Sequence, residues 1–201
     1  MDRSWQWHKG MAMKIGRRDL LLMLIGLGED GAIGDEVGGI TRLQKFLFLM
    51  ENEFGLVASG DGFEFTAYKA GPYSSKLYDD LELLENLGHL ESEVQGEATD
   101  AQAAEVDLLD FDELMGKDEN GPAAADSYEE RRFLLTEDGQ KRVQDLIKSG
   151  EYEPIAEGIR KMKTKYGHHS LNDLLYHVYT SYPDMTTESE IKEKVLRRKR
   201  R

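Results

Sequence analysis

His169, Asp173 and His177 fall at i, i+4 and i+8, with His168 beside them. On one helix the three would share a ridge, and two imidazoles with a carboxylate can hold zinc. No glutamate is spaced between histidines as in the HExxH helix of a zinc protease. Surface histidines near a helix start are the simpler account. Glycines are numerous, but Gly26-Leu27-Gly28 lacks the third glycine of a dinucleotide loop and the lysine-serine ending of a P-loop. The chain has no cysteine, which excludes disulfides, thiolate zinc sites and a cysteine nucleophile. The residues point away from enzyme activity, and no metal or cofactor is expected.

Recognition chemistry is better represented. Residues 63–90 read as a short strand, a tight turn and one amphipathic helix. Phe63, Phe65 and Ala67 alternate with polar neighbours, the period of a half-buried strand. Gly71-Pro72 predicts a break, and Ser74 or Ser75 an N-cap. Leu77, Leu81, Leu84 and Leu87 share one face, and Gly88 should end the helix as a left-handed cap. Tyr73, Ser74, Ser75 and Lys76 would then stand at the helix front, where a recognition helix meets base edges. Arg17, Arg18, Arg42, Lys45 and Lys69 could gather nearby. Arg131 and Arg132, on a wing strand, could reach phosphates. The outward face of the same helix carries Asp79, Asp80, Glu82 and Glu85, which would repel a duplex and suit a protein partner.

The elements that would position these groups follow from apolar spacing. A first helix over 18–27 is apolar around most of its circumference and should be central. Residues 28–39 read as a glycine-rich acidic loop. A second helix over 42–54 has its stripe at Leu43, Phe46, Leu47, Met50 and Phe54, with Arg42 and Lys45 off it toward solvent. Two wing strands are expected at 89–94 and 131–136. Helices follow from Thr136 to Gly150, from Pro154, and around Leu171, Leu174, Leu175, Val178 and Tyr179. Thr187 and Glu190 have capping-box spacing ahead of a last helix. The predicted class is mainly α with a small β-wing (α+β): a winged helix-turn-helix with a C-terminal helical extension.

The formal charge of −13 has a location. Residues 91–130 contain 14 acidic side chains and one lysine, so the rest of the chain is neutral. The domain reading is a flexible leader over 1–13, a winged-helix domain over 14–150 with an acidic wing insert at about 95–127, a helical extension over 151–196, and a basic tail over 197–201. Met1, Met11 and Met13 are alternative starts. No apolar run is long enough to span a membrane and no signal peptide is evident. These features and the missing cysteine give a cytoplasmic expectation.

Thr41-Arg42-Leu43-Gln44-Lys45-Phe46-Leu47-Phe48, Tyr68-Lys69-Ala70-Gly71-Pro72-Tyr73-Ser74 and Asp80-Leu81-Glu82-Leu83-Leu84 resemble the YwgA-like proteins of bacteria and archaea. So does the closing stretch Leu171-Asn172-Asp173-Leu174-Leu175-Tyr176-His177-Val178-Tyr179 with Tyr182-Pro183. The likeness spans about 14–196 apart from the insert. It implies a winged-helix fold and no catalytic residues. A fainter likeness joins the chain to antitoxin-type domains. Leu134-Leu135-Thr136-Glu137-Asp138-Gly139 is similar to a corner of MarR- and PadR-type regulators.

Two functions follow as expectations. One is DNA binding in transcriptional control, through Tyr73, Ser74, Ser75, Lys76, Arg42, Lys45, Lys69, Arg131 and Arg132, with double-stranded DNA as partner and a homodimer formed by the C-terminal helices. The other is a protein-interaction module, an antitoxin or defence-system adaptor, using the acidic insert or the helix face.

Overall fold

The computed structural model describes residues 15–60, 62–94 and 131–198. The acidic insert, the leader and the end of the basic tail lie outside the described residues. Among the described residues the chain is mainly helical, with two small antiparallel sheets. In order come α1 (Arg17–Gly26), β1 (Glu36–Gly38), α2 (Ile40–Glu53), β2 (Thr66–Tyr68), β3 (Gly71–Tyr73) and α3 (Ser75–Asn86). Then come β4 (Leu90–Val94), β5 (Arg131–Leu135), α4 (Glu137–Lys148), α5 (Glu153–Tyr166), α6 (Leu171–Ser181), a 3-10 turn (Pro183–Thr186) and α7 (Lys192–Arg198).

As expected, α1 is central: Leu20 to Ile25 are each at most 1% exposed. One continuous apolar core joins it to α2, α3, the strands and the C-terminal helices, through Ile159, Met162, Leu174 and Val178 among others. The apolar stripes of α5 and α6 are thus spent inside the same core.

The larger sheet has the order β1-β5-β4. Its first strand lies in what reads as a loop. Glu36, Val37 and Gly38 pair with Leu134, Phe133 and Arg132, and only Val37 points into the core. Three residues, the last a glycine and followed by another, carry too little alternation to announce a strand.

The region before α3 also departs from expectation. Phe63 and Phe65 precede the hairpin instead of forming a strand. The pairing lies at Thr66–Tyr73, Ala67–Pro72 and Tyr68–Gly71. Gly71-Pro72 therefore sits inside β3. Gly71 has φ +80°, and an added Cβ would lie 3.0 Å from the ring of Tyr179. Proline is tolerated there because each strand of a two-stranded hairpin is an edge.

Leu77, Leu81 and Leu84 form the buried seam of α3, but Leu87 lies past its end and is 57% exposed. Gly88 takes the left-handed cap at φ +71°. The capping box at Thr187 and Glu190 does not form. The Glu190 amide instead donates to the Lys69 carbonyl at 3.0 Å, anchoring the segment on the hairpin, and α7 begins at Lys192.

The corner after β5 is built around Thr136. Its hydroxyl donates to the Gly88 carbonyl at 2.6 Å and accepts from the Gly139 amide at 3.1 Å. One side chain thus ties the exit of α3 to the first turn of α4. Gly139 lets this turn close against the 88–89 backbone, since a Cβ there would fall 2.0 Å from the His89 carbonyl oxygen. Gly139→Ala should lower the urea midpoint by about 1–3 kcal/mol equivalent with an unchanged m-value.

Candidate functional site

The front of α3 is assembled by contacts between two stretches 30 residues apart. Gln44, on α2, spans the main chain of Ser74: its Nε2 donates to the Ser74 carbonyl and its Oε1 accepts from the Ser74 amide, both at 3.0 Å. Lys45 donates to the Pro72 carbonyl at 2.9 Å. The Ser74 hydroxyl donates to the Phe63 carbonyl at 2.5 Å, so it caps no helix amide. Ser74 and Lys45 are 1% and 2% exposed. Both are interior residues, which corrects the reading that put them at the surface. An ammonium survives there because it is hydrogen-bonded; an unpaired one would cost far more.

Ser75, the first residue of α3, is exposed. Beside it three half-buried tyrosines form a row. The Tyr68 and Tyr73 ring centroids are 4.9 Å apart, and those of Tyr73 and Tyr78 5.8 Å. The Lys69 ammonium lies 5.8 Å from the Tyr68 ring. Lys76 pairs with Glu64 at 2.8 Å.

The other cations are engaged by groups of this protein. Arg17 and Arg18 both bond Asp80, at 2.7 and 3.1 Å. Asp80 is 1% exposed, so it belongs to the interior and not to the outward acidic face. Its hydrogen bond to Arg17 raises the pKa of that guanidinium. Arg42 donates to the His169 carbonyl at 2.7 Å and lies 5.9 Å over the Phe46 ring, on the far side of α2. Arg132 pairs with Glu36 at 3.0 Å across the larger sheet, and Arg131 is half-buried at the start of β5. Of the carboxylates expected to face outward, Asp79 and Glu82 do so fully.

The histidine ridge does not act as a unit. His169 packs edge-on against Tyr166, and Asp173 accepts from the Ser170 hydroxyl. Only His177 enters a polar cluster, one that spacing gave no means of finding. Its centre is Glu53, the last residue of α2. Lys165 Nζ, Tyr166 Oη and His177 Nε2 lie 2.8, 2.5 and 2.6 Å from its carboxylate. Among the described residues no three His, Asp or Glu side chains gather to hold a metal ion.

Burial alone would raise the pKa of Glu53, but the bonds from Lys165, Tyr166 and His177 outweigh it and hold the carboxyl at about 2. Burial, followed by the bond to Glu53, pushes Tyr166 up to about 12.

Two experiments bear on these groups. Gln44→Met keeps the volume but strands the buried amide and carbonyl of Ser74, and should destabilise the chain by roughly 2–4 kcal/mol in urea melts. The Glu53 carboxylate stabilises the fold fully above the ordinary value of 4.5, and this is lost as the pH falls toward 2. Glu53→Gln should therefore flatten the stability–pH curve between those limits, by on the order of 2 kcal/mol in acid-limb titrations. Compared with known proteins, the chain matches no family model, no curated protein and no solved structure.

Proposed function

We propose that this chain is a winged-helix module, working in the cytoplasm, that docks a protein partner on the front and outward face of α3. The connectivity supports the winged-helix reading. α1, β1, α2, α3, β4 and β5 follow one another with sheet order β1-β5-β4, and β2–β3 is a hairpin inserted between α2 and α3. In that arrangement β4 and β5 flank the wing, and α3 is the helix offered to a partner.

The observation that carries the choice of partner is the placement of charge. Arg17, Arg42, Lys45, Lys76 and Arg132, all expected to meet phosphate, are bonded to this protein's own carboxylates and carbonyls, while Asp79 and Glu82 stand exposed on α3. Pressed into a major groove, those carboxylates would face phosphate. The tyrosine row offers large, stiff contact area of the kind that dominates protein interfaces. The fainter antitoxin likeness is in keeping with this reading. A second reading, DNA binding in transcriptional control, is favoured by one feature: exposed Ser75 and half-buried Lys76 open α3, where a recognition helix makes base contacts.

Gel shifts with random genomic DNA at about 50 and 200 mM salt separate the two. The protein-partner reading expects no shift at either salt and co-purification of one discrete protein. Asp79→Lys with Glu82→Lys should release that protein and create weak, salt-sensitive DNA binding. A steep salt-dependent shift by the unaltered chain would establish the DNA reading instead.

A further inference from the structure

An open cleft of about 610 Å³ lies apart from the front of α3, between the 28–35 loop, β1, the start of α2 and the end of α5. That volume suits a small molecule. Lys163 lies in its wall with only 4% of its surface exposed. The ammonium donates to the Ile25 carbonyl at 3.2 Å and to Asp35 Oδ2 at 2.7 Å. It has three hydrogens, so these two acceptors leave one over. Burial lowers its pKa, opposed by the bond to Asp35.

The two partners differ in kind. The Ile25 carbonyl is fixed by α1. Asp35 comes from the solvent side: its side chain is 41% exposed, and it follows Gly34, whose φ is +121°. A buried cation thus meets a carboxylate carried on a surface loop. A carboxylate of another molecule, entering by the cleft, could make the same contact. Arg42 adds a second cation to the wall, and half-buried Ile33 an apolar surface.

The rim acids limit the charge of the guest. Glu29 engages His168 at 3.1 Å, Glu36 engages Arg132 at 3.0 Å, and Asp30 accepts from the Ala32 amide at 2.9 Å. A dianion would meet their field, whereas a single negative charge can be matched by Lys163.

We propose that the cleft binds a small monocarboxylate with a short apolar tail, whose head group takes the place of Asp35 on Lys163. This does not rest on the partner reading of α3. Asp35 is then an internal competitor, which gives the site an unusual signature: removing an acidic residue from the protein should strengthen its binding of an acid.

Calorimetric titration of the full chain with sodium hexanoate and sodium acetate tests this. Hexanoate should bind one to one, and acetate about tenfold more weakly for want of the tail. Asp35→Asn should bind hexanoate about tenfold more tightly than the unaltered chain, and Lys163→Met should lose it. No binding by Asp35→Asn overturns the proposal, as does hexanoate binding that Lys163→Met leaves unchanged. If Lys163→Met does not fold, Glu36→Gln serves as the control: tightening by Asp35→Asn alone supports the site, and equal tightening by both reduces it to general charge repulsion and overturns it.

Discussion

The front of α3 depends on one amide side chain. Gln44 bonds both main-chain groups of Ser74, as a neighbouring strand would. Without it, a buried N–H and a buried C=O would lack partners just where the chain turns from hairpin to helix. Lys45, the next residue of α2, satisfies the Pro72 carbonyl. The consequence is a fixed starting point for α3: Ser74 faces inward, Ser75 faces outward, and the tyrosine row stands beside them. Two motifs that read separately in the sequence are two halves of one contact.

Charge follows a related logic. The net charge of −13 resides in residues 91–130, so the remainder is balanced. Local balance is achieved by pairing across elements. Asp80 draws Arg17 and Arg18 from α1 onto α3, and Glu36 draws Arg132 across the sheet. The exposed pairs contribute little individually. Asp80 is different, since its carboxylate is enclosed and two guanidiniums satisfy it. These arginines hold α3 against α1, a role that competes with any outward one.

The helices were legible because apolar spacing over ten or more residues leaves few alternatives. The seam Leu77-Leu81-Leu84 and the all-round apolar α1 are examples. Gly88 and Thr136 were legible for another reason: each does a local job that its own chemistry advertises. What failed to show depends on distant partners. Lys45 and Asp80 look like surface charges until the Pro72 carbonyl and the two arginines are brought to them. Glu53 gives no hint that a lysine, a tyrosine and a histidine more than 100 residues later will close around it. β1 was hidden because its pairing partner, β5, supplies the apolar alternation that β1 lacks.

α2 joins these separate features. Its first turns place Arg42 at the cleft and Gln44 and Lys45 under the lead-in to α3. Its last residue, Glu53, is gripped by α5 and α6. A helix transmits displacement along its axis because its hydrogen-bond ladder resists compression, and close packing on all sides leaves it few places to yield. Leu43 and Phe46 to Met50 are each no more than 3% exposed, so α2 moves with the core or not at all. The cleft and the α3 front are therefore joined by a short, stiff element held at its far end. Arg42 and Gln44 stand within one turn of each other on α2, and Gln44 bonds the main chain of Ser74 directly.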